Sequence, residues 1–331
     1  MMDFLHTPFL GHAIWMWLTF ACIVVSLLAF DLGVLHSDQR EIGVGESLWL
    51  SAGYIGVAML FGLGLWWQGG SEAGVAYFTA FFVEKSLSLD NVFVISMIFT
   101  YFAVPRVYQH RVLFWGILGV IVLRAIMIGL GAAMVTQFSW LLYVFGAFLL
   151  VTGVKMLVVA NHMPDISKNP LLRFLRARIR VTEQLHEERF VVQLPDPDKP
   201  EHKLWYATPL LLALAMIEFV DLIFAVDSVP AVFAITQDPF LVYTSNIFAI
   251  LGLRALYFAL AAMIHRFVYL KYALALVLVF IGAKIFLVGI IGKIPAAISL
   301  SVTLGLLAGG VLYSLWKTRS TPVALPAPGK G

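Results

Sequence analysis

Apolar residues run along this chain in blocks of roughly 20–30 broken by short polar stretches, with neither the alternation of a half-buried strand nor the single stripe of a soluble helix. About 20 apolar residues in a helix cross the ~30 Å hydrocarbon core of a bilayer. The blocks therefore predict nine transmembrane helices, at about 13–35, 47–67, 73–102, 111–136, 138–160, 205–236, 240–264, 271–292 and 296–316. Trp15, Trp17, Trp66, Trp67, Trp140, Trp205 and Trp316 fall near the ends of these segments, where interfacial aromatics sit. One polar stretch is long, 161–204. In it Asn169-Pro170 precedes Leu171, Leu172, Phe174, Leu175 and Ile179, interleaved with Arg173, Arg176, Arg178 and Arg180, which predicts a short amphipathic helix at the membrane surface. The segments 189–194 and 203–206, around Pro195-Asp196-Pro197-Asp198, predict a small hairpin.

Composition agrees with lipid as the main solvent. The 331 residues are 61% apolar and 12% charged, too few charges to coat a soluble surface of this size. The expected fold is all-α, one polytopic membrane domain over 1–331. The net charge of +3 matters less than its distribution. With the N-terminus outside, the inner segments hold sixteen Lys and Arg and the outer ones only Lys293, so the positive-inside rule places the C-terminus in the cytoplasm. The first apolar block is long and lacks a basic start, so it reads as a retained helix rather than a cleaved signal. The lone cysteine, Cys22, excludes an intrachain disulfide framework. His162, His186 and His202 in the linker have no ligand spacing.

The two halves repeat one another. Glu84 and Asp90 are six apart, as are Asp221 and Asp227; Leu123-Arg124-Ala125 matches Leu253-Arg254-Ala255, and Gly153-Val154-Lys155 matches Gly282-Ala283-Lys284. Each repeat holds three helices, about 73–160 and 205–292, with a linker between and extra helices at 13–35, 47–67 and 296–316. An odd helix number inverts the second copy, the plan of many secondary transporters, which bind their ion near the midplane.

Ionisable side chains inside a bilayer cost on the order of 3 kcal/mol each on insertion scales and mark function or pairing. Here they are Asp31, Glu84, Lys85, Asp90, Arg124, Lys155, Glu218, Asp221, Asp227, Arg254 and Lys284. Arg124 and Arg254 are expected to pair with a carboxylate of the other repeat; Lys155 and Lys284 do likewise or snorkel. The third and sixth helices exceed the bilayer and are expected to tilt or break, with Pro230 freeing a carbonyl and a local unwinding bringing Glu84 and Asp90 to one site. Carboxylates with Ser and Asn oxygens suit a hard divalent cation; a proton relay would use the same acids. Scattered methionines read as packing. No phosphate loop, G-x-S-x-G elbow or HExxH occurs, so no enzyme is expected, and nothing suggests nucleic acid.

Four stretches resemble the TerC family of integral membrane proteins, in its Alx-like branch: Glu84–Val94 (EKSLSLDNVFV), Phe145–Lys155 (FGAFLLVTGVK), Phe224–Ala231 (FAVDSVPA) and Thr244–Ala255 (TSNIFAILGLRA). The resemblance runs from about Asp31 to Trp316. It implies kinship with LysE-type exporters, efflux of Mn²⁺ as the transported ion from the bacterial inner membrane, a link to the Sec machinery, and the tellurium resistance that named the family. The family's acidic positions map onto Glu84, Asp90, Asp221 and Asp227, with Glu218 nearby and Asn91 and Ser228 in the same motifs. Two classes stay open: a Mn²⁺ exporter with alternating access, and a non-transporting scaffold assisting metal loading of exported proteins. A tellurite site would want positive charge where carboxylates stand. The oligomeric state is not set by the sequence.

Overall fold

A computed structural model describes residues 5–35, 43–138, 140–158, 166, 169–196, 202–261, 269–292 and 294–318. Arg40, His162, Lys168, Lys199, Arg266, Lys293, Arg319 and Lys330, and the turn at Pro197-Asp198, lie outside them. The helices are α1 (Ile14–Leu35), α2 (Val44–Tyr101), α3 (Arg106–Gln137), α4 (Leu141–Val158), α5 (Pro170–Arg178), α6 (Pro209–Phe233), α7 (Pro239–Leu251), α8 (Leu253–Ala261), α9 (Leu270–Ile291) and α10 (Ala296–Lys317). Among the described residues there are also two small ribbons: β1 (Pro8–Phe9) with β2 (His12–Ala13), and β3 (Val191–Pro195) with β4 (Lys203–Ala207).

Eight segments among the described residues are long and apolar enough to span a bilayer. The nine expected crossings follow once α2 is resolved into two. Its 58 residues would run about 87 Å if straight, nearly three hydrocarbon cores. Gly70 breaks it, at φ 80° and ψ −178°, a conformation open essentially to glycine alone. The arms, 44–69 and 71–101, fold back on one another: Tyr77 Oη donates to the Ala58 carbonyl at 3.1 Å. Gly62 permits the approach, since a Cβ there would lie 2.6 Å from the rings of Tyr77 and Phe78.

The expected helix 240–264 is also two pieces. Gly252, at φ −83° and ψ 3°, separates α7 from α8, and 262–264 lie outside the described residues. The expected helix 205–236 begins late because Trp205 and Tyr206 pair with Gln193 and Val192 in β4–β3; Pro209 then opens α6. The amphipathic segment is α5, capped by the Asn169 side chain, which accepts from the Leu171 N–H. The β1–β2 turn was not expected; Leu10 and Gly11 both have positive φ, the signature of a tight hairpin turn.

The packing between the halves is reciprocal. The most extensive helix–helix contact is α4 with α9. A Cβ on Gly153 would lie 2.8 Å from the Ala275 carbonyl, and one on Gly282 2.8 Å from the Gly146 carbonyl. Residues 146 and 275 are as far apart in sequence as 153 and 282, so these are one contact seen twice, as a two-fold relation requires. The two helices run antiparallel. In contrast α3 packs parallel to α6 (Gly116 beside Ile217, Gly131 beside Phe233), while α2 meets α7 where Lys85 lies beside Ala249. A first helix lying parallel to the other repeat's second helix is what an inverted copy produces. Apolar clusters surround the centre, and the outer surface is greasy: Trp67 is 92% exposed and Val151 67%, as a lipid-facing surface requires.

Candidate functional site

The second arm of α2, α3 and α6 meet in a buried ion cluster. Arg124 of α3, 1% exposed, donates through Nη1 to Glu84 Oε1 at 2.5 Å and Ser228 Oγ at 2.6 Å. Its Nε and Nη2 reach the Asp221 carboxylate at 3.1 and 3.2 Å. Asn91 Nδ2 donates to the same carboxylate at 2.9 Å. The helix periodicity explains the convergence: positions 84, 88 and 91 share one face of α2, and 221, 224 and 228 share one face of α6. Three elements are thus joined through one guanidinium, and both repeats contribute acids to it.

A small enclosed cavity of about 40 Å³ opens beside this cluster, lined by Glu84, Asp90, Asn91, Arg124, Asp227 and Ser228 with apolar neighbours such as Met156 and Phe224. That is room for a few atoms, the scale of one ion or water. Asp227 accepts from Thr152 Oγ1 of α4 at 3.3 Å, and Lys155, one turn on, is the cation acting on it. Lys271 of α9 acts on Asp90. Two oxygens of the lining, Glu84 Oε2 and Asn91 Oδ1, are buried with no hydrogen-bond partner among the described residues. Buried acceptors left bare are costly, and they point at something able to bind them.

Five of the seven expected ligands, Glu84, Asp90, Asn91, Asp227 and Ser228, therefore line one cavity, and Asp221 stands behind Arg124. Glu218 does not join them. Three residues before Asp221, it turns to α3, where a Cβ on Gly119 would lie 2.2 Å from its Oε1. The acids do not gather on one point: Glu84 and Asp221 pair with Arg124, Asp90 answers to Lys271 and Asp227 to Lys155, and among the described residues no three His, Cys, Asp or Glu side chains are close enough to hold an ion.

Other expectations need correction. Neither long helix unwinds at the acids: α2 has non-helical dihedrals only at Gly70, and α6 continues through Pro230. Glu84 and Asp90 reach one cavity because it wedges across two faces of α2. Arg254 does not pair with an acid of the other repeat. Its Nη2 bonds both the side chain and the main-chain carbonyl of Asp31 on α1, and the Tyr54 hydroxyl completes the group. Lys284 is half-buried on α9 and is not part of the cavity lining. Sequence reasoning missed Thr152, an ordinary residue inside an apolar run, and the role of Lys85. Lys85 Nζ donates to the Ala249 carbonyl at 3.1 Å, at the helix break before Gly252.

A family model described as the integral membrane protein TerC family matches residues 69–322. The chain belongs to the TerC family of integral membrane proteins. It is 45% identical over 309 residues to the "Uncharacterized membrane protein STKORF319" of Myxococcus xanthus, covering 93% of this chain and 94% of the relative. It is 46% identical over 315 residues to the "Putative membrane-bound redox modulator Alx" of Salmonella typhi, covering 91% and 94%. A protein of that name from Photorhabdus laumondii is 44% identical over 315 residues, with the same coverage. No solved structure matches. Every residue lining the cavity falls inside the TerC match, whereas Asp31 and Tyr54 precede it.

Proposed function

We propose that this TerC protein exports a hard divalent cation, Mn²⁺ first among them, by alternating access through the cavity between α2, α3 and α6. The observation that carries the reading is the chemistry of the lining: Glu84, Asp90 and Asp227 share one small cavity with Arg124, and Glu84 Oε2 and Asn91 Oδ1 have no partner among the described residues. Four acids, Glu84, Asp90, Asp221 and Asp227, outnumber the three cations that act on them, Arg124, Lys155 and Lys271, in a low-dielectric space, which favours a cation over an oxyanion such as tellurite. Oxygen-only ligands suit Mn²⁺, Mg²⁺ and Ca²⁺ rather than softer metals. In the mechanism, Arg124 holds Glu84 and Asp221 together while no cargo is bound. An entering cation takes Asp90 and Asp227 and draws Glu84 away from the guanidinium, and the exchange loosens the tie between the repeats. On release Arg124 recaptures its acids and resets the site.

The positive-inside count supports an inner-membrane orientation with the N-terminus outside and the C-terminus in the cytoplasm. A redox role of the kind in the Alx name would act through the metal, since one cysteine cannot cycle as an intrachain dithiol. Equilibrium Mn²⁺ binding to purified protein, read by the loss of the free-ion electron paramagnetic resonance signal, tests the site. One ion per chain in the wild type, lost in Asp90→Asn and in Asp227→Asn, is the expected result. Equal binding by all three folded proteins would sink the assignment. Absence of binding throughout would favour the scaffold class.

A further inference from the structure

Arg124 and Arg254 occupy the same register of the two repeats, yet only Arg124 enters the acidic cluster. The two-fold relation names the acceptor that Arg254 would otherwise take. Arg124 bonds Asp221, so the counterpart of that bond joins Arg254 to Glu84, whose Oε2 has no partner among the described residues. In the structure Arg254 is turned away from it. The charges acting on Glu84 are Arg124 and Asp221, not Arg254. Arg254 is 2% exposed and held by Asp31, itself 5% exposed, with Tyr54 against the same carboxylate.

We propose that Asp31 is a positioning residue: from a helix that precedes the TerC match, it holds Arg254 outside the cation site, so that a single guanidinium attends the cluster. Two further observations support this. Arg254 Nη1 is buried without a partner among the described residues, so Asp31 and Tyr54 do not exhaust the donors of this guanidinium. The chain also breaks at Gly252, two residues before Arg254, which gives α8 a pivot that the unbroken α3 lacks. Lys85 clamps the carbonyl of Ala249 at that pivot and sits next to Glu84, so the break and the cation site share one stretch of α2. The proposal rests on the cation-site reading above. A second guanidinium beside Glu84 would repel a divalent ion and compete for its ligand.

The test is Mn²⁺ affinity of full-length purified protein, measured by calorimetry on the folded fraction, for wild type, Asp31→Asn, Arg254→Gln and the double variant. Asp31→Asn should bind at least about tenfold more weakly. Arg254→Gln, lying outside the cavity, should bind as wild type does, and the double variant should recover wild-type affinity. A merely structural role for Asp31 would lower the folded fraction and leave the dissociation constant unchanged. Should Asp31→Asn not fold, Tyr54→Phe, which strips only the hydroxyl from Asp31, should shift affinity the same way by a few fold; wild-type affinity there overturns the proposal. So does a folded Asp31→Asn that binds normally, or a double variant as weak as the single one. Absence of Mn²⁺ binding by the wild type overturns the cation reading and this inference with it.

Discussion

Replacing Arg124 by Met keeps much of the side-chain volume and removes the charge that four hydrogen bonds tie to Glu84, Asp221 and Ser228. Both carboxylates are nearly inaccessible, Glu84 at 0% and Asp221 at 5% exposure, so water cannot take over. Removing one partner of a buried ion pair costs about 3–5 kcal/mol, because the other is left uncompensated. Protonation of one acid would relieve part of this, so the lower end of that range is expected. Reversible unfolding in mixed micelles, followed by tryptophan fluorescence, measures it. Adding Asp221→Asn to Arg124→Met should restore part of the loss, with a coupling energy of about 0.5–3 kcal/mol between the two positions. Mn²⁺ should then stabilise Arg124→Met, by about 2.7 kcal/mol at a hundredfold excess over its dissociation constant. An Arg124→Met protein within about 0.5 kcal/mol of wild type would show that the guanidinium does not hold the acids together.

Other expectations follow from single contacts. Gly70→Ala should cost about 1–3 kcal/mol in the same unfolding assay, because φ 80° with ψ −178° is strained for any side chain. Gly153→Ala and Gly282→Ala should cost similar amounts, about 1–3 kcal/mol each, since each Cβ meets a backbone carbonyl across the same reciprocal contact; unequal costs would deny the two-fold relation. Thr152→Val removes one hydrogen bond to Asp227 and keeps the shape, so Mn²⁺ affinity should fall by less than about tenfold with stability nearly unchanged.

Much of this was legible in the sequence, because charge inside an apolar run is hard to hide. Glu84, Arg124, Asp221 and Asp227 stood out for that reason, and the matching spacing of the two halves predicted that their helices would meet. What stayed illegible depends on neighbours distant in sequence. Glu218 shares the helix and the charge of Asp221, and only the close approach allowed by Gly119 shows that it faces α3 instead. Thr152 carries a hydroxyl inside its apolar run, but a threonine in a helix commonly bonds its own backbone, as Thr79 and Thr244 do, so nothing in the sequence places it at the site. For Arg254 the repeat predicts an acid of the other half, whereas its partner Asp31 comes from a helix outside the repeat. The lost first turn of α6 has a local cause: Trp205 and Tyr206 are apolar enough to extend the run, and strand pairing with β3 outweighed it.

In the proposed cycle, buried carboxylates move a divalent cation across the membrane. Mn²⁺ uptake into sealed proteoliposomes, read by quenching of an entrapped metal-sensitive dye, tests it most directly, with wild type beside Asp90→Asn and Asp227→Asn. Protein-dependent flux is expected in the wild type and should disappear in both variants while they remain folded. Flux at wild-type rates in the two variants, or none in a folded wild type with or without a pH gradient, would contradict the proposed cycle.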